Sequence, residues 1–258
     1  MQNQVVLKDS KASRRHAVIH LQTGGEYWLV DFGSTNGTTV NGRRVLKPTL
    51  LRNWDQIFIG DECFIFHQDA DLTRRTLDKA STNGTAREIK TVDCWLLIAD
   101  IEGSTRLSLS VPPDELSIVV GRWFASCKEN IEAHDGQINK FLGDGFFSYW
   151  IERPAAAAQV AKAVQKLSDA QSSAHLKFRW VLHHGPVSIG GAGSLGEESL
   201  LGSEVHFTFR MESLASKLNL TRLLSESARA KLSLAATLRD AGHHPLGGFD
   251  GFHHFHTF

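Results

Sequence analysis

The texture of the chain changes once, and that change limits the fold more than any total does. Up to about Gln68 the apolar residues come in short β-rich runs: "VVLK", "HAVIHL", "EYWLVDF", "TTVNG", "RRVL", "QIFIG" and "CFIFHQ". Gly, Asn, Asp and Pro turn signals separate them at close spacing, which predicts an all-β sandwich. From Val92 onward strand-like and helix-like runs alternate. "CWLLIAD" is an apolar strand. Residues 113–134 open with Pro and acidic residues and place Leu116, Val119, Val120, Trp123, Cys127 and Ile131 on one helical face. "QINKFLGDGFFSYW" predicts two strands around a Gly-Asp-Gly turn, and "PAAAAQVAKAVQKLSDA" a helix. "LKFRWVLHHGPVSIGG" predicts a pair of strands, "SEVHFTFRMESLASKL" a helix and "TRLLSE" a strand. The order β-α-β-β-α-β is the ferredoxin-like split plan, with further elements at the C-terminus. The expectation is therefore multidomain: a sandwich over 1–68, a linker over 69–91 and an α+β domain over 92–258.

The pentapeptide Ser34-Thr35-Asn36-Gly37-Thr38 recurs as Ser81-Thr82-Asn83-Gly84-Thr85. Asn-Gly favours a tight turn because both residues tolerate positive φ. The first copy has strand-like runs on both sides to join. The second lies in a polar, aperiodic stretch with Thr73, Thr76, Thr82 and Thr85, so it reads as linker. Identity without matching flanks is no repeat architecture.

The totals exclude several classes. At 41% hydrophobic residues the chain can bury a core. Lys+Arg and Asp+Glu are both 28, so no bulk field gathers nucleic acid or an anionic membrane. Cys63, Cys94 and Cys127 lie far apart, which argues against a disulfide framework or a zinc ribbon. No apolar run approaches the roughly 20 residues that span a bilayer, and the first residues lack the order of a signal peptide. A soluble cytoplasmic protein is expected, with neither nucleic acid nor membrane as partner.

Asp100 ends the first strand of the split plan, and Asp144 sits in the turn between the second and third. First and third strands are neighbours in such a sheet, so the two carboxylates can converge. Two carboxylates with substrate phosphates suffice for Mg²⁺. Spacing alone favours a strand-end Asp and an ordinary turn Asp. The loop "IEGSTR" adds Gly103, Ser104 and Thr105, whose backbone N–H groups suit a triphosphate.

Four blocks, "LIADIEGST", "KFLGDGFFSYW", "LHHGPVSIGG" and "LLGSEVHFTFRMESLA", resemble the class III nucleotidyl cyclases over roughly residues 92–258, in that family's order. The resemblance implies a homodimer with sites at the subunit interface and two Mg²⁺ or Mn²⁺ ions per site. Asp100 and Asp144 match its metal-binding aspartates, joined by the backbone carbonyl of Ile101. Lys140 matches the lysine that reads the purine, and Ser199 its partner position. A lysine donates to adenine N1 but opposes the N1–H donor of guanine, which favours ATP over GTP. His206 and Arg210 match the two transition-state residues, four apart on one helix face. Three positions depart from the family. His206 stands where Asn is commoner, and Ser104 where many members have Phe. Gly247 replaces the Lys or Arg that often precedes a Gly-Phe and holds the β- and γ-phosphates; Arg239, His243 and His244 are the candidates to compensate. The histidines of "HPLGGFDGFHHFHTF" alternate with phenylalanines, so the tail reads as a final strand rather than a chelating site.

The runs "SRRHAVIH", "DFGSTNGTTVNG" and "IFIG" resemble a forkhead-associated (FHA) domain over about residues 1–68, a reader of phosphothreonine. Ser13, Arg14 and Thr35 match phosphate contacts, and Asn36 the residue that holds the ligand backbone. His16 matches a histidine that braces the loops. A full FHA domain begins with two more strands and a Gly-Arg, and this chain starts just after them.

The combined expectation is an adenylate cyclase with an FHA sensor. A catalytically weak, cyclase-like scaffold and a guanylate cyclase are the alternatives. The phosphothreonine would come from another protein or from the chain's own linker, where Arg74 and Arg75 precede Thr76.

Overall fold

The computed structural model describes residues 4–22, 25–68, 90–173, 176–189, 200–232 and 237–258. They fall into two compact units, the first joining the N-terminal region to residues 103–127, the second holding most of the C-terminal region. The threonines of the linker, and with them the second pentapeptide, lie outside the described residues.

In the first unit β1 (Ala17–Gln22) and β2 (Glu26–Asp31) pair antiparallel, with β5 (Thr49–Leu50) on the far side of β2. A second sheet orders β4 (Arg43–Arg44), β3 (Thr38–Val40), β6 (Gln56–Ile59) and β7 (Glu62–Ile65). Leu29, Val40, Val45, Leu51 and Ile57 pack between them, as the inner faces of a sandwich must. Two expected strands differ. "VVLK" forms none: Val5 and Val6 stay exposed. The chain turns at once at Asp9, whose carboxylate accepts the Lys11 N–H at 2.7 Å and whose carbonyl accepts the Ala12 N–H at 3.0 Å. β-Branched residues make a strand only where an edge and a buried face receive them. "RRVL" pairs only at Arg43–Arg44, because Val45 leaves the ladder for the core.

The same unit contains α1 (Ser104–Ser110) and the start of α2 (Pro113–Ala133). Pro113, Asp114 and Glu115 open α2 as a helix N-terminus favours. Arg44 reaches that first turn: Nη1 lies 2.9 Å from Asp114 Oδ1, and Nε donates to Ser117 Oγ at 3.0 Å.

The second unit is built on one sheet of β8 (Lys90–Ile101), β9 (Gln137–Phe141), β10 (Gly145–Ile151), β11 (Phe178–Ile189), β12 (Leu200–Leu201), β13 (Arg222–Ser225), β14 (Arg239–His244) and β15 (His253–Thr257). Its order is β14-β15-β13-β11-β8-β10-β9, with β12 paired to β11. The inner run β11-β8-β10-β9 is the split βαβ order. Helices α3 (Ala156–Ser173), α4 (Ser203–Lys217) and α5 (Glu226–Lys231) complete it. Central β8 is buried from Cys94 to Ala99, which explains its unbroken apolar run.

The expected pair of strands at "LKFRWVLHHGPVSIGG" is instead one strand, β11, paired along its full length with β8 from Phe178 opposite Ile101 to Ile189 opposite Lys90. Gly-Pro signals a turn where no partner runs past it. Here an equally long neighbour carries the ladder through Gly185 and Pro186. Among the described residues no helix is long and apolar enough to cross a membrane.

Candidate functional site

Asp100 stands opposite Gly145 where β8 meets β10. The Ile101 N–H donates to the Asp144 carbonyl at 3.1 Å, so the backbone folds the β9–β10 turn onto the end of β8. The carboxyl groups of Asp100 and Asp144 are thereby brought close enough to act on one another. Two glycines make this possible. Gly143 adopts φ +83°, and a Cβ on Gly145 would lie 2.5 Å from the Ala99 carbonyl oxygen and 2.9 Å from Asp100 Oδ1.

The surroundings are acidic. Arg179 pairs with Asp100 across β11 and β8 and is buried. Its guanidinium lies 3.6 Å from Glu102 and 3.8 Å from Glu212, a residue of α4. Burial, then repulsion from Asp144 and Glu212, pushes the Asp100 carboxyl up to about 7 against the pull of Arg179. Glu212 is raised as well, by burial first and by Asp144, with Arg179 opposing.

The other expected site residues sit on separate elements. Lys140 is half-buried on β9, opposite Phe147. His206 and Arg210 share the exposed face of α4, whose other face buries Val205, Phe207, Thr208, Met211 and Ala215. Gly103 caps α1 at φ 61°, so Ser104 and Thr105 are already helical rather than part of an open turn. A left-handed glycine lets the chain pass from strand to helix in one residue. Ser199 lies outside the described residues. Nothing lies within 4 Å of where a Gly247 side chain would begin. Arg239 opens β14; His243 stacks on His254, and His244 Nε2 is 2.7 Å from the Ala241 carbonyl.

In the first unit two loops are fastened together. The Thr35 N–H donates to Ser13 Oγ at 3.2 Å, and Asn36 Nδ2 donates to the Lys11 carbonyl at 2.8 Å. Behind them buried His16 accepts the Ser13 N–H on Nδ1 at 3.0 Å and donates from Nε2 to the Gly37 carbonyl at 3.3 Å. Nδ1 as acceptor leaves the proton on Nε2. Deeper still, Asp31 accepts from the Ser34 N–H, Ser34 Oγ and Thr38 Oγ1 at 2.8, 2.7 and 2.6 Å. Arg14, Thr35 and Asn36 are left exposed around Ser13. The first pentapeptide therefore joins β2 of one sheet to β3 of the other, and of its Asn-Gly pair only Gly37 takes a positive φ, +76°.

Sequence reasoning passed over Glu102, Arg179, Glu212 and Asp31. A signal existed for two of them. Arg179 is the one charge inside the apolar run "FRWVL", and Glu212 follows Arg210 by two on the same helix.

Residues 1–60 match the family model of the FHA domain. "Adenylate cyclase 1" of Rhizobium meliloti (strain 1021) is 25% identical over 185 residues, which is 66% of this chain and 27% of that protein. The chain thus spans about a quarter of that relative's length. Among solved structures, the adenylyl cyclase CyaB from P. aeruginosa superposes with a TM-score of 0.54 at 20% identity, covering 66% of this chain and 94% of that one. The guanylate cyclase domain of RhGC from Catenaria anguillulae, in complex with GTP, does so with a TM-score of 0.54 at 16% identity, covering 65% and 96%. An FHA domain therefore occupies the first 60 residues, and the region behind it has the fold of the class III adenylyl and guanylyl cyclase domains.

Proposed function

We propose that the chain is an adenylate cyclase, converting ATP to 3′,5′-cyclic AMP and pyrophosphate, coupled to an FHA reader of phosphothreonine. The observation that carries this reading is the contact between the Asp100 and Asp144 carboxyls in acidic surroundings. Hard oxygen donors with excess negative charge fit Mg²⁺ or Mn²⁺. Asp100, Asp144 and the Ile101 carbonyl would hold two such ions. When bound, they lower the pKa of the ribose 3′-hydroxyl and offset the charge of the departing pyrophosphate.

The remaining work falls to the chain's own groups. Lys140 donates to adenine N1, with Ser199 as its partner in reading the base. Against guanine the same lysine leaves two donors facing each other. Arg210 offsets charge developing on the transferred phosphorus, and His206, one turn away, donates a hydrogen bond beside it. Backbone N–H groups at Gly103, Ser104 and Thr105 receive the triphosphate. The exposure of His206 and Arg210 supports their acting on a nucleotide shared with a second copy of the chain, in a homodimer. At the sandwich loops Arg14, Ser13 and Thr35 receive the phosphate, while Asn36 holds the peptide backbone.

Gly247, with no side chain where a cation would hold pyrophosphate, favours a second reading: a weak cyclase serving as a phosphothreonine-dependent scaffold. A cyclic-nucleotide assay with ATP and with GTP, in Mg²⁺ and in Mn²⁺, separates the readings. The proposal expects cyclic AMP from ATP and its loss in Asp144→Ala. No product from either nucleotide leaves the scaffold. Preference for GTP makes the chain a guanylate cyclase.

A further inference from the structure

The C-terminal histidines form a strand, and strand formation gathers them. His254 and His256 are two apart on β15, so they share one face. The neighbouring β14 sets His243 opposite His254 and Asp240 opposite His256. On the other side β13 pairs Leu224 with His256, which brings Glu226, the first residue of α5, beside the same histidine. Glu226 Oε2 lies 2.5 Å from His256 Nε2 and 3.2 Å from His254 Nδ1. One donor atom from each of the three residues falls within 4.8 Å of the others.

We propose that Glu226, His254 and His256 bind a Zn²⁺ ion, which clips the start of α5 to the C-terminal hairpin. Two imidazole nitrogens and a carboxylate form a donor set suited to zinc, unlike the all-oxygen pair at Asp100 and Asp144. Tetrahedral zinc with bonds of about 2.0–2.1 Å needs donors roughly 3.3 Å apart. Glu226 Oε2 already stands 3.2 Å from His254 Nδ1, and its 2.5 Å separation from His256 Nε2 has to open by less than an ångström.

The outer partners are in place too. His254 Nε2 lies 2.9 Å from Asp240 Oδ1 while its Nδ1 faces the site. A histidine ligand that gives its second nitrogen to a carboxylate is held in one orientation and made more basic. Asp240 is itself fixed, accepting the Gly242 N–H at 2.7 Å. The His243 ring stacks on His254 at 4.2 Å and 5°, which sets the plane of the ligand. A fourth position is left for water or another ligand.

The test uses the whole chain, freed of any affinity tag and stripped with a chelator, then titrated with Zn²⁺ by calorimetry and thermal melting. An Asp144→Ala background removes the carboxylate pair as a competing site. One equivalent bound per chain in that background, with a raised Tm, is expected. His254→Ala should abolish it, and Asp240→Asn should weaken it about 10- to 100-fold. No zinc uptake by the Asp144→Ala protein overturns the proposal, as does undiminished affinity in His254→Ala. Should His254→Ala fail to fold, the exposed Asp240→Asn decides alone, and unchanged affinity there rejects the site.

Discussion

Around His16 the buried groups meet complements: a ring nitrogen with an N–H, the other with a carbonyl, the Asp31 carboxylate with three donors. Around Asp100 carboxylates meet one another, with Arg179 as the named counter-charge. The first arrangement is satisfied without a ligand. Binding there can only add contacts on the exposed rim of Arg14, Thr35 and Asn36. The second stores repulsion, which raises the Asp100 carboxyl; a cation held there, as proposed, would relieve it. On the proposed reading, recognition by a pre-built frame and catalysis by stored charge ask opposite things of polar groups, the second at a cost in stability.

The largest expected effect breaks the charged side. Asp144→Asn should lower cyclic-nucleotide formation by on the order of 10²–10³-fold, the scale of losing one preorganised electrostatic group. The same change should raise the melting temperature of the metal-free protein, because Asp100 loses its nearest like charge. Activity lost together with stability would mean that Asp144 is a structural residue and the comparison false.

On stability the largest effect is expected from Arg179→Met. Removing the buried guanidinium leaves Glu102, Asp100 and Glu212 uncompensated, and a broken buried ion pair costs about 3–5 kcal/mol. Denaturant unfolding of the metal-free protein measures it. Added Mn²⁺ should recover part of the loss if the carboxylates take up the ion. On the satisfied side, His16→Ala orphans the Ser13 N–H and the Gly37 carbonyl, at about 1–3 kcal/mol. It should also weaken binding of a phosphothreonine peptide, read by calorimetry, although His16 is buried behind the loops. Full affinity in that variant would show that the loops hold their shape without the brace.

What the sequence revealed follows the same divide. The meeting of Asp100 and Asp144 was legible, because the split sheet order fixes which strands are neighbours and the Gly-Asp-Gly turn fixes where they end. Motif spacing singled out Ser13, Thr35 and Asn36, and the structure fastens the loops that carry them together. Arg179 and Glu212 left only a faint signal, because one charge in a strand or on a helix reads as solvated until a distant element covers it. "VVLK" misled for the converse reason, since propensity cannot supply an edge. The tail gave its strand by alternation, yet the approach of Glu226 to His254 and His256 depends on β13 pairing with β15, about thirty residues apart in sequence.

The smallest effect sharpens the comparison within the cyclase-fold unit itself. His183 is buried like His16, with both nitrogens occupied: Nδ1 is 2.8 Å from Ser225 Oγ, and Nε2 is 2.6 Å from Glu204 Oε2. The difference is that a carboxylate, which titrates, stands where His16 has a carbonyl, which does not. The hydrogen bond from His183 holds the Glu204 carboxyl below its ordinary 4.5. A carboxylate with a depressed folded pKa contributes stability above its unfolded value and loses it as pH falls through the folded one. Wild type should therefore exceed Glu204→Gln in stability at pH 7 and at pH 5.5. The gap should close as the pH falls below about 4. Partial exposure of Glu204 (24%) lets solvent screen the pair, which keeps the gap at or below about 1 kcal/mol. Urea midpoints at pH 7, pH 5.5 and about pH 3 measure it. A gap that stays constant down to about pH 3 would assign the stabilisation to the packing of Glu204 rather than to its charge.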